Sequence, residues 1–147
     1  MPHLVQSIVD TLRHAYKKYD NRSFLESVIA ASAMVAFADG NVSFPERVKF
    51  DQVLEIIERL KIYDPHEAVE LFDGYVAELR RDNATGSRDL LKIIGDGLGT
   101  KQDKILVLKI CWAISRADGK IPHKERDVIN LIANYLNVGT RELYSSF

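Results

Sequence analysis

The sequence predicts an all-α fold, a compact single-domain bundle of seven to eight helices with an internal helix–loop–helix duplication. Three observations carry this reading. Apolar residues recur at three- and four-residue spacing along most of the chain, the period of a helix with one buried face. No Asn-Gly or Asp-Gly turn sits between alternating apolar residues, so nothing has the pattern of a strand ladder. A ten-residue segment recurs at an offset of 79 positions. One domain over 1–147 is expected, since a chain of this length buries about 68–70% of its unfolded surface.

Leu4, Val5, Ile8, Leu12, Ala15, Tyr16 and Tyr19 give a first amphipathic helix. Ser23 and Glu26 form a Ser-x-x-Glu box that can cap a second. That helix, from Phe24 to Ala38, is apolar on nearly every side and belongs in the middle of a bundle. Ser43 and Glu46 make another capping box, opening a helix to about Leu60 through Val48, Val53, Leu54, Ile56 and Ile57. Asp64-Pro65 starts a fourth, with proline at the first helical position, where its missing N–H costs nothing. Ala68, Val69, Leu71, Phe72, Val76 and Leu79 form its core face. The polar stretch 80–86 reads as a loop, followed by a short helix near Ser87–Ile94 that the glycines at 95, 97 and 99 close. Asp103 is placed to cap the next helix, centred on Ile105–Ile114. A further helix from about Pro122 to Leu136 and a short turn from Thr140 complete the chain.

Composition excludes several functions. Twenty basic residues against 21 acidic ones leave a net charge of −1, so no global field draws in nucleic acid. Cys111 is the only cysteine, which rules out an internal disulfide and a cysteine-rich zinc site. It lies in the apolar run Ile110-Cys111-Trp112-Ala113, where an inert buried thiol is expected. The longest uncharged apolar stretch, Ser27–Ala38, is 12 residues, against about 20 needed to span a bilayer. With no signal-peptide pattern in the first residues, a cytoplasmic location without a transmembrane segment is expected. There is no Gly-rich phosphate loop, no His-Glu-x-x-His and no nucleophile motif, so an enzyme is not expected.

The duplication carries the chemistry. The loops span about 38–47 and 117–126. Ala38-Asp39-Gly40-Asn41-Val42-Ser43-Phe44-Pro45-Glu46-Arg47 matches Ala117-Asp118-Gly119-Lys120-Ile121-Pro122-His123-Lys124-Glu125-Arg126, with Ala, Asp, Gly, Glu and Arg identical. Taken singly, each loop is explained by capping: Asp-Gly stops a helix, and a glutamate in the next first turn suits the positive dipole end. Together, the recurrence of two acids at one spacing is more than capping requires. Packing of the two units about a pseudo-twofold axis would bring four carboxylates near each other. Two unit charges about 4 Å apart repel by roughly 4 kcal/mol at an effective dielectric near 20. A hard divalent cation relieves that repulsion. Asp39, Glu46, Asp118 and Glu125 are the expected ligands. The pattern is not an EF-hand, whose loop places glycine at position 6 and glutamate at 12. His123 adds a nitrogen donor beside the second loop, which leaves Zn²⁺ open beside Ca²⁺, Mg²⁺ and Mn²⁺.

These doubled A-D-G-x-[VI]-x-x-x-E loops resemble those of the TerB-like tellurite-resistance family, which also covers a region of a membrane-anchored J-domain co-chaperone. Tyr19-Asp20-Asn21-Arg22-Ser23-Phe24, Leu60-Lys61-Ile62-Tyr63-Asp64 and Ser115-Arg116-Ala117-Asp118-Gly119 are similar to the corresponding family segments. The resemblance implies an all-α domain of about seven helices and a non-enzymatic role in resistance to tellurite and related chemical stress. It also implies acidic loop residues that bind metal. The implied partners are other tellurite-resistance proteins, membrane-associated and calcium-binding ones among them, with a peripheral position at the inner membrane. Pro45, and Pro122-His123-Lys124 with Lys120, depart from the acid-rich pattern and point to weaker affinity or a different metal. The rival reading is a metal-independent protein-interaction module docking to a membrane-associated partner. Arg13, His14, Lys17, Lys18 and Arg22 would supply its basic face.

Overall fold

In the computed structural model, the segment apolar on every side forms the centre of the bundle. The structure describes residues 6–8, 10–11, 22–59, 64–116 and 123–145, and among them there are helices and turns but no strand. Helix α1 (Arg22–Ala36) buries twelve of its fifteen residues. It packs against α3 (Pro65–Arg81), α4 (Asn83–Asp96), α5 (Lys101–Ser115) and α6 (His123–Tyr135), and more lightly against α2 (Phe44–Arg59). A short α7 (Thr140–Ser145) closes on α6. Residues 6–8 and 10–11 are helical as well, and Lys109 Nζ on α5 donates to Ser7 Oγ at 3.0 Å.

Small residues let α1 sit so deep. Ser27 Oγ donates to the carbonyls of Ile93 and Ile94 at 3.1 and 2.6 Å, which satisfies a hydroxyl with no access to water. Gly97 lies at the same crossing; a Cβ there would overlap the Ser23 carbonyl oxygen and Ser27 Oγ. Around this seam Phe24, Ile29, Phe50, Phe72, Ile94, Leu108 and Ile129 are essentially removed from water. Each such side chain contributes about 1.5–3 kcal/mol.

Several boundaries differ from the sequence reading. Stretch 80–86 is not a loop. Helix α3 runs to Arg81, and the single residue Asp82 separates it from α4, far longer than a helix near Ser87–Ile94. Asp82 is extended (φ −155°, ψ 100°) and serves both helices. Its N–H donates to the Glu78 carbonyl at 3.2 Å, while its carboxylate accepts from Thr85 N at 3.2 Å and Thr85 Oγ1 at 3.1 Å. Gly86 is there for close approach: a Cβ would lie 2.9 Å from the Glu78 carbonyl oxygen. Thr100, rather than Asp103, caps α5, its hydroxyl accepting from Asp103 N at 3.1 Å. Ser23 sits inside the first turn of α1, and Glu26 pairs with Arg22 at 3.0 Å instead of completing a box. Asp64 caps α3 as expected, accepting from His66 N at 3.0 Å. Most of the predicted first helix, and the side chains of Val53, Ile56, Ile57 and Leu60, lie outside the described residues.

Candidate metal centre

The turn that joins α1 to α2 is built by local chemistry. Gly40 is left-handed (φ +91°), a conformation open to glycine without a Cβ penalty. Asp39 Oδ1 accepts from Asn41 N at 3.2 Å, the aspartate-to-backbone bond of an Asx turn. Val42 is half-buried and anchors the turn on the core. The Ser43–Glu46 capping box is complete: Ser43 N donates to Glu46 Oε1 at 3.0 Å, and Glu46 N donates to Ser43 Oγ at 3.3 Å.

Capping uses one carboxylate oxygen of Glu46 and turns the other inward. Glu46 is 5% exposed, and its Oε2 is buried without a hydrogen-bond donor. Glu125, in the first turn of α6, is 3% exposed and lies against it. Seventy-nine positions apart in sequence, the two glutamates meet between the N-terminal ends of α2 and α6. Burial, together with the hydrogen bond and negative charge of Glu46, pushes the Glu125 carboxyl up to about 9. Asp39 adds to the rise by its charge, and Ser115 opposes it, its Oγ donating to Glu125 Oε1 at 3.3 Å. With two carboxyl groups in contact, a hydrogen bond exists only while one holds a proton. At neutral pH that proton is on Glu125.

Asp39 is exposed, and its Oδ1 is occupied by Asn41. Asp118 lies outside the described residues. Among the described residues, no three His, Cys, Asp or Glu side chains gather closely enough to hold an ion. His123 points into solvent (88% exposed), 3.4 Å from Asp127 one turn along α6. The donors turned inward are therefore oxygens alone. Glu46 and Glu125 offer oxygen ligands of the kind a hard divalent cation takes, and a complete site would need a further ligand.

Two features of this region were not legible in the sequence. Ser115 is the last residue of α5 and gives Glu125 its hydroxyl partner; the aligned position in the first unit is Ala36. The arginines shared by the two loops cover aromatic rings, Arg47 over Phe72 at 5.3 Å and Arg126 over Trp112 at 5.7 Å. The basic face proposed on the first helix lies outside the described residues, apart from Arg22, which is paired with Glu26 and Glu67. Cys111 is fully buried in α5, and desolvation pushes its thiol up to about 12. An aromatic disulfide reagent is therefore expected to leave the folded protein unmodified and to titrate one thiol after unfolding in guanidinium.

The family model described as "Tellurite resistance protein TerB" matches residues 25–145, which include both acidic loops. A curated relative, "Tellurium resistance protein TerB" from Alcaligenes sp, is 31% identical over 77 residues. That stretch covers 52% of this chain and 63% of the relative. No solved structure matches the chain. With a match that runs across nearly every described helix, the chain belongs to the TerB family.

Proposed function

We propose that the protein serves tellurite resistance as a non-enzymatic module that binds one hard divalent cation between Glu46 and Glu125. Asp39 and Asp118 would complete or second the ligand set. The observation that carries this is the buried Glu46 Oε2, an acceptor with no donor, in contact with a second buried carboxyl. The all-oxygen inward donor set favours Ca²⁺, Mg²⁺ or Mn²⁺ over Zn²⁺. The cation would join the starts of α2 and α6, so binding would tie together helices from both ends of the sequence. Family membership supports the tellurite-resistance role; other resistance proteins, membrane-associated ones among them, are the proposed partners, in the cytoplasm at the inner membrane. No described helix is long and apolar enough to cross a membrane.

Cation binding would displace the proton held on Glu125, which fixes the sign of its pH dependence. Calorimetric titration of chelator-treated protein is expected to show one site whose affinity rises about tenfold per pH unit between pH 6 and 8, with about one proton released. At a hundred times the dissociation constant the cation adds about 2.7 kcal/mol of stability. Loss of that gain in Glu46→Gln is the expected control. An equal gain in parent and variant, or affinity independent of pH, would remove the site.

A further inference from the structure

Beside the 39–42 turn, a groove of about 320 Å³ opens between α2 and α3. Asn41, Val42, Phe72 and Val76 line it together with Arg47, Arg80 and the acidic Asp73. Both guanidiniums are held over buried rings. Arg47 covers Phe72 at 5.3 Å, and Arg80 covers Phe37 at 5.2 Å. Stacking fixes a planar fork in advance, so less rotamer entropy is lost when its donors are used.

The two arginines are not equally engaged. Arg47 Nη1 donates to Asp73 at 3.1 Å, and its Nε lies 3.7 Å from Asp51. Among the described residues Arg80 has no carboxylate partner at all. Asp73 is itself more than half exposed, and an exposed pair of this kind is worth about 0–1 kcal/mol, so it does not close the groove to an incoming anion. The space is too large for a bare oxyanion alone. On α2, Phe44 stands one turn before Arg47 and is 80% exposed, with Val48 beside it at 37%. An exposed aromatic ring one helical turn from Arg47 adds, outside the groove itself, a side chain of the kind enriched at interaction hot spots.

We propose that this groove binds an acidic, apolar peptide segment of a partner protein. The partner's carboxylate lies against Arg80 and the free donors of Arg47, and its apolar side chain packs toward Val42 and Phe72, which line the groove. Aspartate or glutamate next to an aromatic or aliphatic residue is the chemistry that fits. The site does not require the cation, and its test is run on chelator-treated protein, so failure of either proposal leaves the other standing.

The test is a ¹⁵N NMR titration of the full chain with three probes. N-acetylphenylalanine carries carboxylate and ring, N-acetylphenylalaninamide carries the ring alone, and sulfate carries charge alone. N-acetylphenylalanine is expected to move the Arg47 and Arg80 Nε–Hε signals and the Asn41 amide, saturating on the order of 1 mM as befits a small ligand. The amide and sulfate are expected to bind at least tenfold more weakly. Arg80→Gln is expected to lose tenfold or more for the acid, and Arg80→Lys to keep part of it. Equal binding of acid and amide, or an affinity unchanged in Arg80→Gln, would overturn the proposal. Sulfate binding as tightly as N-acetylphenylalanine would overturn it too, by reducing the groove to a simple anion site.

Discussion

At pH 8 and without divalent cation, Glu125→Gln is expected to be more stable than the parent by at least about 1–3 kcal/mol, the cost of holding on Glu125 a proton that the unfolded chain has released. This corresponds to a rise in melting temperature of roughly 2–10 °C for a chain of this size. In the folded chain the Glu125 carboxyl is pushed up to about 9, against about 4.3 for an unfolded glutamate. Below about pH 4.3 both states hold the proton and stability is unaffected. From there upward the unfolded chain ionises while the folded chain does not, so stability falls with rising pH until the folded carboxyl also ionises. The glutamine amide can donate to Glu46 at every pH, so the variant escapes this fall. Parent and variant should therefore coincide near pH 4 and separate progressively toward pH 9. Comparison of the two removes the opposite contribution of carboxylates such as Glu142, which Lys101 holds low. Adding the cation should reverse the order, since only the parent can bind it. Denaturant melts at several pH values, with and without Ca²⁺ or Mn²⁺, check both halves. Parallel pH profiles would mean that the glutamates do not interact.

Gly97→Ala should lose about 3 kcal/mol or more, at the upper end of overpacking effects, and should lower the melting temperature by roughly 6–12 °C. The backbone at Gly97 (φ −93°, ψ 0°) suits any residue, so conformational freedom is not the reason. The added methyl would overlap the Ser23 carbonyl oxygen and Ser27 Oγ. Relief requires α1 and α4 to part, which breaks the bonds from Ser27 to Ile93 and Ile94. Gly99→Ala is the matched control, because nothing lies within 4 Å of its Cβ; a change within about 0.5 kcal/mol is expected there. Similar losses at both positions would show that the helix end, not the crossing, matters.

How much was legible in the sequence varied with the range of the interaction. The Ser43–Glu46 box and the Asp64-Pro65 start are settled within four residues, and they form as read. The all-apolar character of Ser27–Ala38 likewise leaves α1 nowhere to go but the centre. Stretch 80–86 misled because its polarity and glycine resemble a loop. One aspartate satisfies both helix ends there, and Gly86 answers to a neighbouring backbone rather than to a turn. Asp103 was a plausible cap, but Thr100 stands three residues earlier and captures the same N–H that closes the first turn.

The sequence by itself determined the helices, their central member and the family pattern of paired acids, because periodicity and capping act between near neighbours and leave their mark on residue order. Only the tertiary structure decided that Glu46 and Glu125 share one buried space, that Ser115 joins them, and that Arg47 and Arg80 line a common groove. Those relations depend on how α2, α3, α5 and α6 pack around α1. A carboxylate's burial, and hence its hold on a proton or a cation, is a property of that packing and not of the residues beside it in the chain.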